Sequence, residues 1–336
     1  MDAEQKFELI TKGTSEITNV DKLRGILSER DLKLYWGTAT TGMPHIAYFN
    51  PILKLKDFQE AGCEVKILLA DVHAFLDNQK APIEKVEIRT VLYEKLIKAM
   101  LKRVGVEKPI EFVRGSSFQT SPKYTLDLYK LATLTTVRNA THANSEVVKK
   151  VDNPLVSSMI YPLMQALDEE YLSVDAQFGG LDQRKIFMFA KKFLPKIGYK
   201  ERIHLMNPMQ GGLNQGKMSS SDENSKISLL ESEKTLRKKI NKSFCEEKNL
   251  DCGLLVLLKN IVFPLFHILG EKISCKKSNT PFIYSNYEDL EAQFETGEIH
   301  PADLKEAVYE AVNFILKPIR DEFKDSEDLV TQSYGK

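Results

Sequence analysis

An apolar run at Leu32-Lys33-Leu34-Tyr35-Trp36-Gly37 predicts a short strand ending at glycine. The turn Thr40-Thr41-Gly42-Met43-Pro44 follows it, and apolar periodicity from His45 to Glu60 predicts a helix. Gly62 stops that helix. The continuous apolar stretch Val65-Lys66-Ile67-Leu68-Leu69-Ala70 suits a buried parallel strand, and a helix is expected from Ile83 to Arg103. Ile110 to Val113 is a third strand candidate; Lys123 to Val137 and Leu155 to Tyr171 read as helices with an irregular polar segment between them. Short strands alternating with helices predict an α/β fold, an open doubly wound parallel sheet whose ligands sit beyond the strands' carboxyl ends.

The segment Gly211 to Asp222 combines glycine, amide and serine without apolar periodicity and is expected to be a mobile surface loop. Beyond it the pattern turns helical at Glu231 to Lys242, Gly253 to Phe266 and Asp303 to Phe323, with a strand-like Phe282-Ile283-Tyr284 between. A boundary near residue 226 divides the chain into 1–225 and 226–336, in line with the domain number that 336 residues imply. Composition is ordinary for a globular protein, with 42% hydrophobic and 28% charged residues, which excludes fibrous and largely disordered readings. Basic and acidic residues both number 47, so any nucleic-acid contact must be a local patch on a neutral chain. The cysteines Cys63, Cys245, Cys252 and Cys275 match neither a secreted disulfide scaffold nor paired zinc ligands, so no metal site is expected. The mixed-charge N-terminus and the lack of a long apolar run predict a cytoplasmic protein without a membrane segment.

Several residues could carry chemistry. The strand ending at Gly37 feeds a loop and then a helix near Pro44, a geometry that offers free N–H groups to phosphate, with His45 as a donor in the first turn. Ordinary α/β connectivity explains the same turn. Lys217, among glycines and serines, is a cation that could close over a triphosphate or simply sit in a solvated loop. Tyr161, Gln165 and Asp168 fall at i, i+4 and i+7 on one helix face, which suits either a small zwitterionic ligand or solvent, with Leu163 and Leu167 turned inward. Glu169 and Glu170 read as a solvated pair. Gly179 and Gly180 permit close backbone approach, and Asp182 could hold ribose hydroxyls; a glycine turn before a helix is the plainer reading. Lys234, Arg237, Lys238, Lys239 and Lys242 form a cationic stripe that Glu231 and Glu233 could equally balance.

Taken together, Tyr35 to Tyr48, Tyr161 to Asp168, Phe178 to Lys185, His204 to Met209 and Lys217 to Ser221 resemble the tyrosyl-tRNA synthetases of the eukaryotic and archaeal branch of class I. The likeness runs in unbroken order from about Leu23 to Phe323. It implies a Rossmann-type catalytic domain, an insertion at about 110–155 that builds a homodimer interface, and an α-helical anticodon-binding domain. The implied activity joins L-tyrosine to tRNA(Tyr) through a tyrosyl-adenylate made from ATP, with Mg²⁺ on the phosphates. By the resemblance, Tyr35 and Asp168 hold the substrate phenol, and Tyr161, Gln165 and Gln183 hold its ammonium and carboxylate. The ATP residues implied are Gly37, Thr40, Gly42, Pro44, His45, Tyr48, Gly180 and Asp182, together with Lys217, Met218, Ser219, Ser220 and Ser221. His45 and Lys217 are the implied catalytic pair. His300, Asp303 and Arg184 are the implied tRNA contacts.

The sequence also departs from that pattern. Ala47 and Tyr48 replace the glycine and second histidine of the family's first signature, Met43 stands where relatives often have lysine, and Ser220 replaces the second lysine of the mobile-loop signature. Relatives place an aromatic residue near position 278, where Lys276-Lys277-Ser278-Asn279 has none, so that either Phe282 stacks instead or anticodon stacking is weaker. Tyr35 with Asp168 argues against the sister tryptophanyl enzymes, since a hydroxyl-reading pair has little to do in an indole pocket. The same motifs could belong to a synthetase scaffold that has lost catalysis, which pyrophosphate exchange would reveal, or to a non-RNA adenylating enzyme, against which His300 and Asp303 speak. With the chain ending at Lys336, neither an appended tRNA-binding module nor an editing domain is expected.

Overall fold

Residues 1–78, 80–148, 152–209, 226–277 and 280–335 are described in the computed structural model. They divide into two compact units, one of Met1–Gly42, Asp57–Glu94 and Lys108–Met209, the other of Met43–Lys56, Lys95–Glu107 and the described part of Gln210–Lys336. The first unit is built on six strands: β1 (Glu16–Ile17), β2 (Lys33–Thr38), β3 (Glu64–Leu69), β4 (Glu111–Arg114), β5 (Ala176–Gly180) and β6 (Ile203–Asn207). Their spatial order is β1-β6-β5-β2-β3-β4. Every pairing is parallel except that of β1 with β6. Inner strands of such a sheet are buried on both faces, which is why β6 is buried throughout and β2 buries Leu34, Tyr35 and Trp36 in succession.

From β2 the chain builds outward through β3 and β4, and later returns to add β5 and β6 on β2's other side. The order therefore reverses between β2 and β5, and the crevice at their carboxyl ends is the place where such sheets bind ligands. Register puts Tyr35 opposite Gln177 and Trp36 opposite Phe178. β5 was not anticipated. Its two glycines lower strand propensity, yet burial between β2 and β6 outweighs that preference. The expected helix through Lys123 to Val137 instead ends at Leu134, and a second helix, Val137–Asn144, starts where the Thr136 side chain accepts from Asn139 N at 3.2 Å.

The helix Val156–Tyr171 contains Pro162, which has no N–H to give to the carbonyl of Ser158. Asn144 Nδ2 donates to that carbonyl at 2.5 Å instead. Leu163, Met164, Ala166 and Leu167 of the same helix pack with Tyr124, Leu131, Phe189 and Phe193 in a buried cluster. Each large apolar side chain so buried contributes about 1.5–3 kcal/mol.

The second unit is mainly helical. Its helices include Glu233–Lys242, Gly253–Leu257, Phe263–Leu269, Tyr287–Glu295, Pro301–Glu322 and Glu327–Tyr334. A π-helical turn, Leu258–Val262, joins the second of these to the third just before Pro264, whose missing N–H cannot continue the regular ladder. The strand-like Phe282-Ile283-Tyr284 belongs to β8 (Thr280–Tyr284), antiparallel to β7 (Ile273–Lys277). The segment expected as one helix from His45 begins with a 3-10 turn, Ile46–Tyr48, and becomes α-helical at Phe49–Glu60. No helix among the described residues is long and apolar enough to cross a membrane.

Candidate active site

Buried polar side chains converge at the β2/β5 switch point of the first unit. Tyr161, Gln165 and Asp168 occupy the expected face of helix Val156–Tyr171, and all three are buried, so that face looks into the unit and away from solvent. Asp168 Oδ1 accepts from Gln119 Nε2 at 2.8 Å, and the Tyr124 hydroxyl is shared between Oδ1 at 2.9 Å and the Met164 carbonyl at 2.8 Å. Asp168 Oδ2 has no hydrogen-bond partner among the described residues, and neither do the Tyr35 hydroxyl, His73 Nε2, Gln119 Oε1 or Gln177 Oε1. These atoms are neighbours: His73 Nε2 lies 3.9 Å from Asp168 Oδ2, Tyr35 feels the charge of Asp168, and Gln177 is its register partner. A buried polar atom left unpaired costs about 1–3 kcal/mol, so five of them in one place mark a site built to be completed by a polar ligand.

Glycine shapes the open end of this site. A Cβ on Gly179 would come within 2.8 Å of Gln183 Oε1 and 2.9 Å of the Phe187 ring, so glycine is what lets the Gln183 side chain fold back. There Gln183 Oε1 accepts from Gln165 Nε2 at 2.8 Å, joining two residues expected to act together. A Cβ on Gly180 would collide with the Asp182 carboxylate. Deeper in, Asp71 accepts from Ser116 N at 2.8 Å and from Ser116 Oγ at 2.5 Å, which fixes the short helix Ser116–Gln119 and hence Gln119.

Burial pushes the Asp168 carboxyl up to about 7; the bonds from Gln119 and Tyr124 oppose that rise, and the charges of Glu169 and Asp71 add to it. Burial, with Asp168 beside it, raises the Tyr35 hydroxyl well above the usual phenol range, so Tyr35 remains an O–H donor. Burial also brings His73 down to about 4, leaving a neutral imidazole edge-on to the Tyr161 ring at 4.6 Å. A neutral O–H donor and a carboxyl oxygen poised near neutrality, both without partners, can together take a ligand group that donates one hydrogen bond and accepts another.

Sequence reasoning missed Gln119, Tyr124, His73 and Gln177. His73 stands in an apolar run, but Gln119 and Tyr124 have mostly polar neighbours, and only the fold brings them to Asp168. Glu169 is a correction. It is buried, because residues 161–169 of this helix are all buried, and its Oε1 lies 2.8 Å from His204 Nε2. Glu170 is an ion-pair partner of Arg202 at 2.5 Å, so the two glutamates are not a solvated pair.

The remaining expected residues fall as follows. Gly37 lies on β2, Thr40 is buried with its hydroxyl 3.1 Å from that of Thr90, and the Gly42 carbonyl accepts from the Tyr93 hydroxyl. In the second unit, Pro44 O accepts from Leu229 N at 3.1 Å and Ile46 N donates to Ile227 O at 2.8 Å. The Ile46 amide is therefore engaged, against the expectation of free N–H groups there. His45 is extended, pairs with Ser228 as a β-bridge and meets the Tyr48 ring edge-on at 5.2 Å. Lys217, Met218, Ser219, Ser220 and Ser221 lie outside the described residues, as do the loop Gly211 to Asp222 and Ser278. Arg184 is exposed and pairs with Glu16 at 2.6 Å. His300 Nδ1 caps helix Pro301–Glu322 by accepting from Ala302 N at 3.2 Å, with Asp303 in the first turn and Phe282 exposed on β8. In the cationic stripe, Arg237 reaches Glu306 at 2.5 Å and Lys239 reaches Glu231 at 2.6 Å, whereas Lys234, Lys238 and Lys242 are exposed one turn apart.

A family model described as tRNA synthetases class I (W and Y) matches residues 27–317. The chain is 51% identical over 337 residues to the probable tyrosine–tRNA ligase, cytoplasmic, of Encephalitozoon cuniculi (strain GB-M1), covering 100% of both. It is 55% identical over 335 residues to the protein of the same name from Enterocytozoon bieneusi (strain H348), covering 99% of this chain and 96% of the relative. The crystal structure of tyrosyl-tRNA synthetase complexed with L-tyrosine from Archaeoglobus fulgidus matches with a TM-score of 0.85 at 35% identity, covering 95% of this chain and 99% of that one. The chain thus belongs to the tyrosyl-tRNA synthetases, within the class I tRNA synthetases (W and Y).

Proposed function

We propose that the buried cluster around Tyr35 and Asp168 reads the phenol of L-tyrosine in a two-step ligation to tRNA(Tyr). A carboxylate oxygen of tyrosine attacks the α-phosphorus of ATP, the bond to the β-phosphate breaks and pyrophosphate leaves. A terminal ribose hydroxyl of tRNA then attacks the tyrosyl carbonyl and AMP leaves. No covalent enzyme intermediate is required, so catalysis is positioning and charge stabilisation.

The observation that carries this reading is the pair of unpartnered atoms, the Tyr35 hydroxyl and Asp168 Oδ2. The substrate hydroxyl donates to Asp168 and accepts from Tyr35, while Tyr161, Gln165 and Gln183 take the ammonium and carboxylate ends. Phenylalanine leaves both atoms unpaired, which is the source of selectivity. For ATP, which brings Mg²⁺ on its phosphates as part of the substrate, the assigned residues are Gly37, Thr40, Gly42, Pro44, His45, Tyr48, Gly180, Asp182 and Lys217 to Ser221. His45 donates to the phosphates and Lys217 follows the charge on departing pyrophosphate. Lys217→Ala is accordingly expected to slow adenylate formation with little change in tyrosine affinity; a burst of adenylate at the native rate contradicts that role.

Residues 1–225 act as the catalytic domain and 226–336 as the anticodon-binding domain, with His300, Asp303 and Arg184 contacting tRNA and Lys234, Lys238 and Lys242 giving it a cationic face. The segment 110–155 supports a homodimer, since Leu126, Tyr129, Leu134 and Val137 on it are large exposed apolar residues. A cytosolic location fits a protein of translation. The direct test of the pocket is Asp168→Ala: the preference for tyrosine over phenylalanine in adenylate formation should fall about 10- to 100-fold, the worth of a hydrogen bond to a charged group. An unchanged preference, with ATP affinity also unchanged, overturns the assignment.

A further inference from the structure

Glu169 and His204 form a fully buried acid–imidazole pair that the ligation chemistry does not use. Register sets Tyr35 of β2, Gln177 of β5 and His204 of β6 side by side on one face of the sheet. Tyr35 and His204 are thus two strand spacings apart, about 10 Å. Successive residues of a helix are turned by about 100°. Helix Val156–Tyr171 lies over this row, and the turn between its two consecutive carboxyls directs Asp168 to Tyr35 and Glu169 to His204, with 2.8 Å between Glu169 Oε1 and His204 Nε2. His204 is itself fixed from two sides. Thr18 Oγ1 accepts from His204 N at 2.9 Å and lies 3.2 Å from Nδ1, and the imidazole stacks on the Phe187 ring at 4.8 Å. Having accepted the backbone proton, the Thr18 hydroxyl can give its own to Nδ1, which leaves Nε2–H to be donated to Glu169. A pair joined in this way carries one negative charge, on Glu169, whose Oε2 has no hydrogen-bond partner among the described residues.

We propose that Glu169, held by His204, is a positioning residue for tyrosine recognition whose buried charge sets the pH range in which Asp168 accepts the substrate hydroxyl. The proposal rests on the reading of Tyr35 and Asp168 as the phenol site. By tying the helix to β6, the pair fixes where the neighbouring Asp168 stands over β2. A carboxylate buried next to a second one also makes ionisation of that second group less favourable. Facing Asp168 from the other elements are Tyr35, Asp71, His73 and Tyr124; after burial, the charges of Glu169 and Asp71 both raise it. The basic groups around the helix are engaged elsewhere: Arg202 with Glu170 at 2.5 Å, Lys185 with Glu146 at 2.8 Å, Lys191 with Asn19 at 3.0 Å and Lys130 with Asp127 at 2.8 Å. Arg138 and His142, on the adjoining helix Val137–Asn144, are exposed.

Titration calorimetry of the full-length protein with L-tyrosine, from about pH 5 to about pH 9, tests the proposal. Glu169→Gln keeps an acceptor for His204 and removes the charge. The midpoint of its affinity profile is expected to move from about 7 to about 6, so that affinity rises about fivefold at pH 6 and is unchanged at pH 8. His204→Gln keeps both a donor to Glu169 and the charge, and its midpoint is expected to stay near 7. A purely structural role would lower affinity at every pH without moving the midpoint. If Glu169→Gln folds poorly, the double variant Glu169→Met with His204→Met replaces the pair by apolar side chains of similar size and carries the same prediction. A midpoint still near 7 in the variants without the charge overturns the proposal. Asp168→Asn separates this failure from that of the underlying reading: a flat profile there leaves the phenol site standing, whereas a slope that survives Asp168→Asn overturns both.

Discussion

Burial lifts the Asp168 carboxyl to about 7 while two hydrogen bonds at Oδ1 pull it down, so near neutral pH this residue sits between an acceptor and a neutral acid. Tyrosine binding should favour the carboxylate. Its affinity is expected to rise about tenfold from pH 6 to pH 8, following the deprotonated fraction of a group titrating near 7, and titration calorimetry should find Asp168→Asn flat over that range. The same shift has a stability consequence with a definite sign. A carboxyl raised above its unfolded value contributes stability that is present below about pH 4 and lost as pH rises through 7. His73, depressed from 6.5 to about 4, contributes stability that is present above pH 6.5 and lost as pH falls through 4. The two slopes oppose each other across roughly pH 4–6.5. Removing the first with Asp168→Asn should expose the second, a loss of up to about 3 kcal/mol on acidification from pH 6.5 to 4 in urea unfolding. A variant whose stability is level across that window contradicts the buried, neutral state of His73. At this scale the spacing of Tyr161, Gln165 and Asp168 was legible, because a helix fixes which residues share a face. Gln119 and His73 were not, because their closeness to Asp168 depends on three separate segments folding together.

Helix Val156–Tyr171 carries Tyr161, Gln165 and Asp168 past a break at Pro162 that is repaired from outside, by Asn144. Asn144→Ala would leave the Ser158 carbonyl buried without its donor, and an unfolding free energy lower by about 1–3 kcal/mol is expected, with weaker tyrosine binding as the helix frays. Native stability in that variant would mean that the carbonyl finds another partner. The elements themselves were read unevenly. Helix Ile83–Arg103 coincides with its expected span, and β2, β3 and β4 lie within a residue of theirs, because their apolar runs are long or continuous. β5 was hidden by Gly179 and Gly180, and Glu169 was misjudged because a glutamate beside a second glutamate reads as surface until its helix is seen packed on all sides. The domain boundary near 226 rests on the change to helical periodicity; the compact units instead group Met43–Lys56 and Lys95–Glu107 with the later chain, which no local pattern discloses.

For the molecule as a whole, zero formal net charge means that polyanion binding must come from a patch, and Lys234, Lys238 and Lys242 are exposed on one helix face. Replacing all three with alanine should weaken tRNA binding and lower its salt dependence by about two to three counterions, while leaving tyrosine activation intact. A parallel loss of activation would place these lysines in a different role. Leu126 and Tyr129 are exposed on the segment proposed to build a homodimer interface, and if that proposal holds, Leu126→Asp with Tyr129→Asp should shift sedimentation from dimer to monomer; an unchanged dimer moves the interface elsewhere. Above these stands the claim that the buried Tyr35 and Asp168 pair selects tyrosine for adenylation. ATP–pyrophosphate exchange with each of the twenty amino acids, in the absence of tRNA, tests it most directly. Exchange with tyrosine and none with phenylalanine or tryptophan is the predicted result; exchange with tryptophan, or equal exchange with phenylalanine, would contradict it.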